Sequence, residues 1–329
     1  MSQAYAIEKE NVLIRAGACS VTILPHLGGK IASIRIGERE LLQSPLAPYG
    51  PRTETMSFDA ADASGWDECL PSVAACTVET AAGQASVPDH GDLWRVQWRN
   101  RDQRPGTRDQ GPGTDSESSV TLRGECFSLP LALERTTTLK ETGQGWRLQV
   151  DYTASNTGSF PTPWSWAAHP LFVAEPGDRI VLPATIERLR LEGSGGGRLG
   201  KGGDQVSWPV ATLTDGSRSD LSVAEGPESG IGDKLFAGPL TATENWCTLE
   251  RPRAGVAIRI RFDAKANPYL GLWICYGGWP ERPGTKQNCV ALEPATAPVD
   301  SLAVTGPWSR VLAAGETSSW SMTVELETL

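Results

Sequence analysis

The chain has 329 residues, 39% of them hydrophobic and 21% charged, with a formal net charge of −9. That apolar content excludes a wholly disordered chain, and the acidic balance, with a sequence pI near 5.0, argues against a nucleic-acid-binding surface. No apolar run approaches the roughly 18 residues of a membrane helix.

The first residues, MSQAYAIEKENVLIRAG, lack a basic stretch followed by an apolar one and do not read as a signal peptide. Seven cysteines are present: Cys19, Cys69, Cys76, Cys126, Cys247, Cys275 and Cys289. Their odd number and the absence of a C-x-x-C pair point to buried, reduced thiols in a cytoplasmic protein.

Glycine (35) and proline (24) punctuate the whole chain. Between them lie short runs rich in Val, Ile, Leu, Thr and Trp: 19–24, 31–36, 93–98, 119–122, 131–139, 146–152, 256–262 and 320–325. Several alternate with period two, as in Arg147-Leu148-Gln149-Val150-Asp151-Tyr152. Alternation of this kind predicts half-buried antiparallel strands, and regular turn signals between them predict a large all-β sandwich. A single domain over 1–329 is expected.

Along the chain, His26 ends the first strand region in LPHLGGK and reads as a turn histidine. The segment 62–75 has room for a turn or two of helix before Pro71 interrupts it. Within it, Trp66 precedes the adjacent acids Asp67 and Glu68. On a strand these acids face opposite ways, so they do not work as a pair, although one of them is placed to bind sugar hydroxyls; on a helix they would cap its start. His90 sits between Asp89 and Asp92, carboxylates able to orient its ring, and before Gly91, which permits close approach of a ligand. The polar, Gly- and Pro-rich stretch 100–118 reads as a long mobile hairpin loop.

His169 precedes Pro170, which forces it into extended backbone. Alternation places it on the face opposite Trp164, Trp166 and Ala168, and indole faces such as Trp166 are good platforms for the C–H faces of a sugar. The glycines of 193–203 have no flanking strand–helix pair and form a loop, not a nucleotide site. Glu293 ends an apolar run, where a buried carboxylate needs either a partner or a task.

Taken together, these segments resemble the aldose 1-epimerase (galactose mutarotase-like) family. The resemblance rests on Leu27-Gly28-Gly29-Lys30-Ile31-Ala32-Ser33-Ile34, on Asp89-His90-Gly91-Asp92-Leu93-Trp94, and on Ala168-His169-Pro170-Leu171-Phe172 followed by Gly177-Asp178. It also rests on Asp233-Lys234-Leu235-Phe236 and on Ala291-Leu292-Glu293-Pro294. No single motif is specific, but their order and spacing are preserved along nearly the whole chain.

The resemblance implies a large antiparallel β-supersandwich with its site in an open cleft on one sheet. It implies an isomerase that interconverts the α and β anomers of a free aldose through ring opening. Glu293 would take the anomeric proton and His169 would protonate the ring oxygen. His90 and Asp233 would hold the sugar, with Asp67, Glu68, Trp66 and Trp166 as further substrate contacts. No metal, nucleotide or covalent intermediate is required, because a paired base and acid suffice. A small carbohydrate is the implied partner, with neither nucleic acid nor membrane, for a monomer or homodimer.

The family's upstream asparagine–arginine element is missing, with Arg52 as the candidate replacement. Arg95, Arg99 and Arg282 are the candidates for a phosphate site. Two alternatives therefore stand beside the mutarotase: an epimerase of phosphorylated or modified sugars on the same fold, and a carbohydrate-binding protein without turnover that keeps Trp66, Trp164, Trp166, Trp273 and Trp279 as stacking surface.

Overall fold

The computed structural model describes residues 11–101 and 117–329. Two large antiparallel sheets carry the chain. The larger runs Val12–Ala16, Cys19–Leu24, Lys30–Ile36, Trp66–Cys69, Ala167–Val173, Asn288–Ala295, Tyr269–Tyr276, Ile231–Ala237, Arg188–Ser194 and Gln205–Ser207, with Arg39–Glu40 paired to the side of Lys30–Ile36. The smaller runs Arg179–Val181, Trp246–Arg251, Val256–Phe262, Thr317–Thr328, Gly145–Asn156, Leu131–Thr142, Glu117–Glu125 and Arg99–Asn100. Helix is limited, among the described residues, to 3₁₀ turns of three residues each. The all-β expectation holds.

Alternation builds the core. In Gly145–Asn156 the buried residues are Leu148, Val150, Tyr152, Ala154 and Asn156, and every residue between them is partly or fully exposed. Val256–Phe262 buries Ile258, Ile260 and Phe262 and leaves Arg261 exposed. The hydrophobic ones among the buried residues meet Ile23, Ile34, Leu235, Leu272 and Leu292 of the larger sheet in one continuous core. Each of the Val, Leu, Ile and Phe side chains contributes about 1.5–3 kcal/mol by leaving water. One end of this core is aromatic: Tyr152, Trp164, Trp166 and Trp320 pack with ring centroids 4.9–5.6 Å apart.

Two expected elements differ. The run 93–98 is not a strand: Leu93–Arg95 forms a 3₁₀ turn, because the Arg95 guanidinium folds back to donate to the carbonyls of Met56, Asp89 and Gly91. The segment 62–75 holds no helix. Trp66–Cys69 is a strand instead, registered as Trp66 to Pro170, Asp67 to His169, Glu68 to Ala168 and Cys69 to Ala167. Tertiary pairing here overrides any local tendency to turn. Most of the loop expected at 100–118 falls outside the described residues; its flanks are the strands Arg99–Asn100 and Glu117–Glu125.

All seven cysteines are free: Cys19, Cys69, Cys247, Cys275 and Cys289 are buried, and Cys76 and Cys126 half-buried. No helix among the described residues is long and apolar enough to cross a membrane.

Candidate active site

The inner face of the larger sheet is spent on the core; its outer face carries a different set of residues. Asp67, His169 and Glu293 project outward from three neighbouring strands, Trp66–Cys69, Ala167–Val173 and Asn288–Ala295. Gly271 stands opposite Glu293 on the next strand, and Phe236 opposite Gly271 on the one after that. Above this row lies a cavity of about 150 Å³ lined by His90, His169, Lys234 and Asp300, with aromatic walls from Phe58, Trp273 and Trp279.

Glu293 is wholly buried. Its Oε2 accepts a hydrogen bond from the Lys234 ammonium. Its Oε1 has no hydrogen-bond partner among the described residues and lies 3.7 Å from His169 Nε2. Burial pushes the Glu293 carboxyl above the ordinary glutamate range, against the pull of Lys234. Burial likewise holds the His169 imidazole well below its ordinary value, helped by His90, Lys234 and Lys30. For Lys234, burial alone would favour the neutral amine, but the carboxylates of Asp300 and Glu293 outweigh it and raise the group above its ordinary value. Asp300 Oδ1 lies 3.6 Å from the Lys234 ammonium.

His90 enters from a separate turn. Its Nδ1 lies 2.8 Å from Asp89 Oδ2, the orienting carboxylate the sequence suggested. Phe58 stacks on its ring at 3.8 Å, with an interplanar angle of 8°. The His90 and His169 rings meet edge to face with centroids 5.2 Å apart. The turn is fastened by three groups. His90 N–H donates to Val73 O at 2.5 Å, Asp92 N–H donates to Leu70 O at 2.8 Å, and the Asp92 carboxylate accepts from Phe127 N, Ser128 N and Ser128 Oγ at 2.7–2.9 Å.

Several expected substrate contacts sit elsewhere. Glu68 points inward, where it accepts from Arg135 Nη1, Tyr152 OH and Trp166 Nε1, all at 3.0 Å. Trp66 and Trp166 belong to the core, not to the cavity wall. Asp233 faces inward at the sheet's far side and is occupied by Arg198 Nε at 2.9 Å and Ser194 Oγ at 2.7 Å. Its neighbour Lys234 faces the cavity instead, because adjacent residues on a strand point to opposite faces. Asp67 lies on the outer face but is held by Lys30 in a buried cluster with Asp62 and Arg52. Arg52 is engaged with Asp62 and with the carbonyls of Leu27 and Trp94. The three arginines weighed for phosphate do not converge on the cavity. Arg95 binds backbone carbonyls, Arg282 donates to Asp59 O, and Arg99 lies on the other sheet.

Sequence reasoning missed Phe58, Lys234, Gly271 and Asp300. Lys234 was open to discovery: Leu235 belongs to the core, so a lysine beside it on the same strand had to face the other way.

The fold compares with solved structures of very different sequence. The Slr1438 protein of Synechocystis sp. PCC 6803 superposes with a TM-score of 0.69 at 15% identity, covering 98% of this chain and 97% of that one. A galactose mutarotase-like protein from Lactobacillus casei gives 0.65 at 18% identity, covering 97% and 100%. A galactose mutarotase related enzyme from Lactobacillus acidophilus gives 0.63 at 14% identity, covering 97% and 98%. This chain has the galactose mutarotase-like fold. The resemblance to the aldose 1-epimerase family is borne out: the sequence model described as Aldose 1-epimerase matches residues 77–203. That stretch includes His90 and His169. No curated protein sequence matches the chain.

Proposed function

We propose that this protein is an aldose 1-epimerase that interconverts the anomers of a free, uncharged sugar. The observation that carries the reading is the juxtaposition of Glu293 Oε1 and His169 Nε2, 3.7 Å apart on the outer sheet face beside the cavity. Ring opening needs a proton removed from the anomeric hydroxyl and one delivered to the ring oxygen. Both oxygens hang on the same carbon, so a base and an acid a few ångströms apart serve both.

Glu293 takes the anomeric proton as the C1–O5 bond breaks, and His169 gives its proton to O5. Rotation about C1–C2 exposes the other face of the aldehyde. His169 then removes the O5 proton as O5 attacks C1, and Glu293 returns its proton to the new anomeric oxygen. The low pKa of His169 makes its protonated form scarce but a strong donor, and its neutral form ready for the return step. In this reading His90, aligned by Asp89 and Phe58, holds a hydroxyl near the ring oxygen, and the cavity-lining Trp273 and Trp279 offer apolar surface to the sugar's C–H face. The absence of Arg95, Arg99 and Arg282 from the cavity favours an uncharged sugar over a phosphorylated one.

Polarimetry of freshly dissolved α-D-glucose and α-D-galactose tests the reading. The wild type accelerates the approach to anomeric equilibrium, and Glu293→Gln and His169→Ala each lose about 10²–10⁴-fold of that acceleration. A wild type that accelerates no uncharged aldose, or a Glu293→Gln variant with full activity, refutes it.

A further inference from the structure

Glu293 poses a physical problem. A carboxylate with no solvent exposure binds a proton unless something compensates its charge. A protonated Glu293 could not act as a base. The groups facing it come from every surrounding element: Asp67 and Cys69 from Trp66–Cys69, His169 from Ala167–Val173, His90 from its turn, Asp300 from the loop beyond Asn288–Ala295, and Lys234 from Ile231–Ala237. Asp67 is already neutralised by Lys30. Among the described residues, Lys234 is the lysine or arginine in contact with Glu293, itself buried and reaching it across the intervening strand Tyr269–Tyr276.

We propose that Lys234 is a positioning residue for the reaction: its ammonium grips Oε2 of Glu293, keeps the carboxylate charged in its buried setting, and leaves Oε1 as the one oxygen turned toward His169 and the sugar. The division between the two oxygens is the supporting geometry. One is engaged by Lys234, and the other is buried, without a hydrogen-bond partner among the described residues and 3.7 Å from the imidazole. Asp300, 3.6 Å from the ammonium, gives Lys234 a second counter-ion and so resists its loss of a proton. The role assigned to Lys234 rests on the reading of Glu293 as the base, but the charge state of Glu293 can be measured without turnover.

The test is carbon-13 NMR of protein labelled at the glutamate carboxyls, with the Glu293 signal assigned by its loss in Glu293→Gln. In the wild type this signal reports an ionised carboxylate at pH 7. In Lys234→Met its titration midpoint rises by at least one pH unit, a tenfold gain in proton affinity, and Lys234→Arg restores it toward the wild-type position. The pH profile of kcat/KM follows: the acid limb moves upward in Lys234→Met, and activity lost at pH 7 returns at higher pH. A merely structural lysine would lower activity equally at every pH. An unchanged midpoint in a folded Lys234→Met or Lys234→Gln protein overturns the proposal, as does a protonated Glu293 at pH 7 in the wild type. If the midpoint moves but the wild type accelerates no aldose, Lys234 does hold the charge of Glu293, but the epimerase reading falls and the positioning role in that reaction falls with it.

Discussion

Gly271 shows how closely the candidate base is fitted. It lies directly across from Glu293 on the neighbouring strand. A Cβ at this position would sit 3.1 Å from Glu293 Oε2, 3.1 Å from Phe236 Cε1 and 3.2 Å from Glu293 Cβ. That is tighter than ordinary contact, so the Glu293 side chain and the Phe236 ring must give way to it. Gly271→Ala is therefore expected to lower the mutarotation rate at least about tenfold, since small displacements of a reacting group are costly. The accompanying loss of stability should be about 1 kcal/mol, the lower range for overpacking. Polarimetry and urea denaturation on the same preparation measure both. An unchanged rate would mean that the carboxylate has slack and that the glycine is not needed for its placement. The glycine's significance could not be read from Tyr269–Tyr276 as a sequence, because an apolar strand with one glycine says nothing about what stands across from it.

At the scale of the element, the turn carrying His90 is the most constrained piece of the site. His90 itself has φ 59° and Gly91 has φ 68°, so two consecutive residues lie in the left-handed region. For histidine this is an uncommon conformation that surrounding contacts must enforce. Val73, Leu70 and the Asp92 carboxylate supply those contacts. At Gly91 a Cβ would fall 2.3 Å from the Leu70 carbonyl oxygen, a backbone atom with no room to move. Gly91→Ala is expected to cost about 2–5 kcal/mol, combining left-handed strain with overpacking. Urea denaturation reads the cost, and a loss below about 1 kcal/mol would show that the turn shifts freely. Here the sequence was half legible. The glycine after His90 and the flanking aspartates marked a special turn, and Asp89 does orient the ring. Asp92, which looked equivalent, instead ties the turn to Phe127 and Ser128. Proximity in sequence could not separate those two tasks, and nothing near residue 90 announces Phe58 as the ring's stacking partner. The strands were legible wherever one face met the core, as in Gly145–Asn156. The site strands were harder, because Trp66–Cys69, Ala167–Val173 and Asn288–Ala295 are buried on both faces and lose the alternation that reports a face.

At the scale of the whole molecule, the site stands beside an unusual density of buried charge. Lys30, Asp62, Asp67 and Arg52 form one cluster with no side chain more than 4% exposed, and Arg135 with Glu68 forms a second with both side chains fully buried. Each set is electrically neutral as it stands, which is the condition for tolerating charge in a core. The groups respond differently to acid. Burial acts to raise the Asp62 carboxyl, but Lys30 and Arg52 overcome it and bring the pKa down to about 2. An acid whose pKa is depressed on folding stabilises the protein above its unfolded pKa, near 4, and loses that contribution as pH falls through its folded one. Asp62 therefore contributes about 2 kcal/mol that disappears between about pH 4 and pH 2. Glu68 and Glu293 act in the opposite sense: burial raises both, so protonation favours their folded state as acid is added. A bare acid-unfolding curve mixes these contributions, and only the difference between variants isolates one. Urea unfolding of the wild type and of Asp62→Asn at pH 5 and at pH 2 makes that subtraction. The wild type is expected to lose about 2 kcal/mol more than the variant over this interval, because the asparagine has no proton to take up. Equal losses in the two proteins would mean that Asp62 titrates alike folded and unfolded, and that the Lys30–Asp62–Arg52 cluster does not hold its charge through the acid range.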